Sequence, residues 1–183
     1  MLDDLSLHMM DIAENSTGAG ASRVEIRLLE LPGQDRLVFS VEDDGRGMDE
    51  DLLRQVHDPF CTTRTTRRVG LGIPFLKQAA EACGGGLEIV SKPGEGTRIE
   101  AVFGYGHIDR PPLGDIGGVL QALACEAQTV CVRYAHQTNG GCFAVDTDQL
   151  QQELGDVPLA EPAVLRWLRQ YTNEQVETLT VGG

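Results

Sequence analysis

Asp11 and Asn15 stand four residues apart in a stretch without Gly or Pro, so on a helix they share one face. A carboxylate there can orient a water while the amide oxygen beside it ligates a divalent cation. Further on, VEDDGRGM (residues 41–48) is an apolar strand that ends in Asp43 and is followed by Gly45, Gly47 and Met48. Glycines so spaced let the backbone pass close to a flat ligand, and the Asp43 carboxylate can accept the exocyclic amine proton of adenine. A third stretch places Gly70, Leu71 and Gly72 directly before a helix, where free N–H groups and the helix dipole attract an anion. Before it run Thr62, Thr63, Arg64, Thr65, Thr66, Arg67 and Arg68, hydroxyls and guanidiniums suited to triphosphate oxygens in a chain otherwise short of positive charge. The fourth is GGGLEIVSKPGEGTRIEAVF, a strand, turn and strand in which Thr97 opens the second strand and offers a hydroxyl to a base, directly or through water. Each stretch alone has an ordinary structural explanation. Their succession along one chain carries the reading.

The elements that must hold these residues follow from hydrophobic period. Leu5, Met9 and Ile12 form one helical stripe between about Asp4 and Thr17, with Asp3, Asp4 or Ser6 as cap. Val24, Ile26 and Leu28, then Leu37, Phe39 and Val41, alternate on two strands around the turn LPGQD, which predicts a hairpin. A short helix over 49–56, a polar loop DPFCTTRTTRRVGLG, a helix from Leu71 to Cys83 and two strands around KPGEG complete the first unit. GYGHIDRPPLGD reads as a junction. Beyond it lie a helix over 116–125, strands TVCVRYA and CFAVD around TNGG, and helices over TDQLQQEL and about Ala163 to Thr178. Leu165, Trp167, Leu168 and Tyr171 on the last helix predict a small packing module or docking surface, with Trp167 in its core. The expectation is an α+β protein: a two-layer α/β sandwich over 1–104 and a small C-terminal α/β extension over 105–183.

Composition narrows the classes of function. With 183 residues, 41% hydrophobic and 23% charged, the chain has the make-up of a globular protein that needs no disulfide or metal staples. Fifteen Lys and Arg against 28 Asp and Glu leave a net charge of −13, which repels nucleic acid and anionic membranes. MLDDLSLHMM lacks the basic and apolar pattern of a leader, and no window approaches the roughly 20 apolar residues of a membrane span, so a cytoplasmic protein is expected. Five cysteines without a CxxC pair predict reduced, mostly buried thiols.

Taken together, MDIAENSTGAGASRVEI, DPFCTTR, VGLGI and GGGLEIVSKPGEGTRIEAVF resemble the GHKL superfamily of ATPases, named for gyrase, the heat-shock chaperone, histidine kinases and MutL, over about Leu5 to Phe103. The first run is similar to the MutL form. The others look like the histidine-kinase form, with its PFFTTK, GLGL and GGxIxVxSxPGxGTxF boxes. The resemblance implies the Bergerat fold with ATP and Mg²⁺ as cofactors. Asn15 would hold the metal, Asp43 read the adenine amine, and Gly45, Gly47 and Met48 shape the base pocket. Thr62, Thr63 and Arg64 would meet the phosphates, Gly70, Leu71 and Gly72 cradle them, and Thr97 complete the adenine contacts. Asp11 stands where hydrolysing members carry a general-base Glu, and its carboxylate, one methylene shorter, implies slow hydrolysis. Gly18 replaces an Asp of MutL-like proteins. Neither a following lysine domain nor a preceding phosphoacceptor-His helix is recognised.

The resemblance implies a GHKL-type ATPase or protein kinase that slowly hydrolyses ATP or passes its γ-phosphate to a partner protein, in the manner of histidine kinases or stand-alone serine kinases, with a regulatory role. The rival expectation is a non-catalytic ATP- or ADP-sensing subunit whose lid and C-terminal module dock a partner such as a redox or hydrogenase complex. A MutL-like DNA clamp conflicts with the charge.

Overall fold

The computed structural model describes residues 4–56, 72–126 and 130–181. Helix α1 (Leu5–Gly18) starts at Asp4, whose carboxylate caps the Leu7 amide at 3.0 Å. The apolar stripe expected of it, Leu5, Met9 and Ile12, is buried. Strands β1 (Arg23–Leu31) and β2 (Arg36–Asp43) form the hairpin, joined by a 3₁₀ turn at Pro32–Gln34. Then come α2 (Glu50–Val56), α3 (Gly72–Ala82), β3 (Gly86–Lys92) and β4 (Gly96–Gly104). The C-terminal part comprises α4 (Ile116–Glu126), β5 (Cys131–Thr138), β6 (Gly141–Asp146), α5 (Thr147–Leu154) and α6 (Pro162–Val181).

Among the described residues, six strands lie in one sheet of order β3-β4-β2-β1-β5-β6. Of their five ladders, the β1–β5 one is parallel. Strand alternation gives the sheet two unlike faces. Val24, Ile26, Leu28, Leu37, Phe39, Val41, Ile99, Ala101, Phe103, Val132 and Tyr134 are buried on one, beneath α1 and α3 over β1–β4 and beneath α4 and α6 over β5 and β6. The other is water-facing, laced by Arg27–Glu25, Arg133–Glu25, Arg98–Glu42 and Arg98–Glu100 pairs. This is the two-layer mixed α/β architecture expected from the sequence.

The extension therefore lengthens the sheet, because β5 adds to the free edge of β1. Its connection also fastens α1: the carbonyls of Pro112 and Leu113 accept from the first helical amides, Leu5 and Ser6, at 2.9 and 3.0 Å. Asp115 gathers α4 and α6 by accepting from Gly118 N, Asn173 Nδ2 and Arg169.

Two expectations fail. Trp167 is 49% exposed and stacks on Tyr171 on the outside of α6, because Leu165, Leu168 and Thr172 take the inward stripe. Of the described cysteines, only Cys83 is buried; Cys125 and Cys142 are exposed and Cys131 half-buried. Their places on a helix end, a sheet edge and the open sheet face leave no core around them.

Candidate nucleotide-binding site

Asp43 ends β2 on the helix-covered face, directly opposite Thr97 on β4, which is opposite Ser91 on β3. Cross-strand partners share a face, so three polar side chains line one end of the sheet in a row. The Asp43 carboxylate is held at both oxygens. Ser16 of α1 donates to Oδ2 at 2.7 Å, and the Gly45 amide donates to Oδ1 at 2.9 Å. Thr97 Oγ1 lies 2.9 Å from Ser91 Oγ, and Ser91 accepts from the Met48 amide at 2.8 Å. Met48 is half-buried against the core.

Glycines let the backbone pack closely around this row. A Cβ on Gly45 would sit 2.9 Å from Asp43 Oδ1 and 3.1 Å from Ala19 Cβ. Gly47, at φ +67°, has no room for a side chain beside the Lys92 carbonyl, and Gly96, at φ +100°, has none beside the carbonyl of Asp43. Hydrogen bonds from Arg46 N to Ala19 O (3.1 Å) and from Gly94 N to Arg46 O (2.7 Å) tie the DDGRG loop to the end of α1 and to the KPGEG turn.

Adjacent aspartates serve different ends. Asp44 turns to β1, accepting from Ser22 N, Ser22 Oγ and Arg23 N at 2.8, 2.5 and 2.8 Å. The Ser22 hydroxyl, outweighing a slight desolvation of this exposed group and assisted by the backbone amides, holds its carboxyl below the ordinary range. Asp44 is thus consumed in fixing the loop, and Asp43 is left aimed at the helix layer.

On α1, Asn15 is half-buried and its side chain makes no hydrogen bond among the described residues, while Asp11, one turn earlier, is exposed. Asp11 abuts the start of α3: a Cβ on Gly72 would come 2.8 Å from Asp11 Cβ and 2.9 Å from Oδ2. The opening amides of α3 lack intrahelical partners, and Pro74 in its first turn removes one N–H where none is needed. Asp11 thus sits at the positive end of a helix. Thr62, Thr63, Arg64, Gly70 and Leu71 lie outside the described residues. Asp43, Gly45, Gly47, Met48 and Thr97 gather at one end of the sheet; Asn15 precedes Ser16, which reaches Asp43 from α1, and Asp11 meets Gly72 one turn earlier on the same helix.

Four contributors were not singled out by sequence reasoning: Ser16, Ser91, Gly96 and Asp44. Gly96 and Ser91 stand inside the quoted strand-turn-strand and Ser16 follows Asn15, yet nothing in their spacing distinguishes a site hydroxyl from a packing one.

The residues suit a purine nucleotide with its metal. Gly47 and Gly96 let the loop and the turn pack tightly against the strand ends, Asp43 is a fixed acceptor for an amine, and Asn15 offers an amide oxygen without a partner among the described residues. Residues 1–106 match the histidine kinase-, DNA gyrase B- and HSP90-like ATPase family, and the chain belongs to it. Among curated proteins, it is 32% identical over 102 residues to the sensor protein KdpD of Clostridium acetobutylicum, covering 53% of this chain and 11% of that one. It is 33% identical over 96 residues to the sensor histidine kinase AruS of Pseudomonas aeruginosa, covering 49% and 10%. The chain thus spans about a tenth of the length of these relatives. Among solved structures, the N-terminal domain of a DNA repair protein superposes with a TM-score of 0.51 at 14% identity over 78% of this chain and 52% of that one, a likeness of fold. No described helix is long and apolar enough to cross a membrane.

Proposed function

We propose that this protein binds Mg·ATP at the Asp43 end of its sheet and either hydrolyses it slowly or passes the γ-phosphate to a partner protein, in a regulatory role. The observation that carries the reading is the half-buried Asp43 carboxylate, fixed at both oxygens at the end of the sheet where Gly47 and Gly96 let the backbone close in, with Thr97 beside it. In this reading Asp43 accepts the adenine amine, Met48 lies against the base and Thr97 completes its contacts. Asn15 holds Mg²⁺, Gly72 and the α3 amides face the phosphates, and Thr62, Thr63, Arg64, Gly70 and Leu71 enclose them. When bound, Mg²⁺ supplies charge neutralisation at the phosphate oxygens. Asp11, exposed and close to Gly72, orients the attacking water or accepts its proton. Residues 1–104 act as the nucleotide unit and 105–183 as the module that meets the partner.

The exposure of Asp11 and its short side chain favour a second reading, a nucleotide sensor without turnover. The fate of γ-labelled phosphate separates the two. With Mg·ATP, an ATPase releases free label, and Asn15→Ala abolishes the release; in the presence of an acceptor, a kinase labels the acceptor protein. Tight binding with all label remaining on the nucleotide, in the presence and absence of candidate acceptors, supports the sensor and overturns the catalytic reading.

A further inference from the structure

We infer that Ser16 is a positioning residue that sets the preference of the site for adenine over 6-oxopurines; the inference rests on the nucleotide-binding reading above. Ser16 is buried, with 3% of its surface exposed, and stands on α1 directly after Asn15. Its oxygen lies 2.7 Å from Asp43 Oδ2 and 3.2 Å from the Ile12 carbonyl. A serine has one proton, and the shorter contact, to a carboxylate, takes it. Two consequences follow.

The first is geometric. The Gly45 amide fixes one Asp43 oxygen from its own loop, and Ser16 fixes the other from α1, so the plane of the carboxylate is set by two elements. One hydroxyl thereby joins the helix that presents Asn15 to the strand that presents Asp43. The second is chemical. A free hydroxyl can give or take a hydrogen bond, whereas Ser16, having given its proton to Asp43, has only acceptor capacity left. The wall formed by Asp43 and Ser16 is therefore an acceptor wall. It suits the amine at position 6 of adenine and opposes the carbonyl oxygen that a 6-oxopurine places there.

The test uses the full chain and displacement of a fluorescent ADP analogue by Mg·ADP and by Mg·IDP, whose base carries oxygen in place of the amine. Ser16→Ala is expected to weaken ADP about tenfold while leaving IDP within about twofold, so the preference shrinks. In an Asp43→Asn background, the same change is expected to leave the ADP-to-IDP ratio where it was, because the carboxylate that Ser16 orients is already gone. Equal losses for both nucleotides, no loss for either, or an undiminished Ser16 effect on Asp43→Asn overturns the inference. Failure of the wild-type chain to bind ADP removes the nucleotide-binding reading itself, and is recognised by the absence of any displacement before a variant is made.

Discussion

The helix-covered face of the sheet carries a buried or half-buried carboxylate at each end. Asp43 closes β2 at one end, and Glu30 lies on β1 at the other, six residues along from Val24, the cross-strand partner of Asp43, or about 20 Å of extended chain. Asp43 has small donors on both oxygens, is only half-buried, and has glycines packed closely beside it. Glu30 is sealed: it is 4% exposed and 2.8 Å from Nε2 of His136, which is wholly buried beneath the rings of Tyr134 and Phe143. At that end His136 Nδ1 and the Tyr134 hydroxyl have no partner among the described residues. A titratable group deep in a core is thus a poor guide to a ligand site on its own. Fixed orientation combined with access to solvent is the better one, and of the two ends the Asp43 end has both. The Glu30 end instead bolts β5 of the extension to β1.

That contrast can be broken at either end. His136→Ala leaves Glu30 buried without its partner and is expected to cost about 3–5 kcal/mol in urea unfolding, with nucleotide affinity of the folded fraction unchanged. A matching loss of affinity would show that the two ends are not independent. A smaller effect comes with pH. Burial pushes the Glu30 carboxyl up, but the hydrogen bond and charge of His136, with Tyr105 and Arg110, outweigh it and hold the group below its ordinary range. The stabilisation is therefore complete above the unfolded value, about pH 4.3, and is lost as pH falls through the lower folded value. The urea midpoint of wild type should show this acid loss, and that of Glu30→Gln should lack it. Smallest of all, Trp167→Ala is expected to cost less than about 1 kcal/mol, since half of the ring already faces water. A larger cost would restore the core role that the sequence suggested for it.

How far the sequence could be read differs between the two ends for a physical reason. Hydrophobic alternation and glycine turns are local signals, and they placed α1, the β1–β2 hairpin and the β3–β4 pair together with Asp43, Gly45, Gly47 and Thr97. The joining of β5 to β1 is a pairing across about a hundred residues that no local period encodes. With it went the Glu30–His136 contact: His136 has no spacing that marks it, and Glu30 reads as one polar step in an alternating strand. Ser16 was hidden differently, because a helical serine bonding back to Ile12 and one reaching across to Asp43 look alike until the strand is packed against the helix. Trp167 misled because period alone left the inward edge of the α6 stripe undecided by about one residue.

The central claim is that the Asp43 end of the sheet holds an adenine nucleotide. Calorimetric titration of Mg·ADP into wild type and Asp43→Asn tests it most directly. The account predicts binding by wild type and a loss of about a hundredfold in the variant, with the urea midpoint of the variant nearly unchanged. Equal affinities in the two proteins would contradict it.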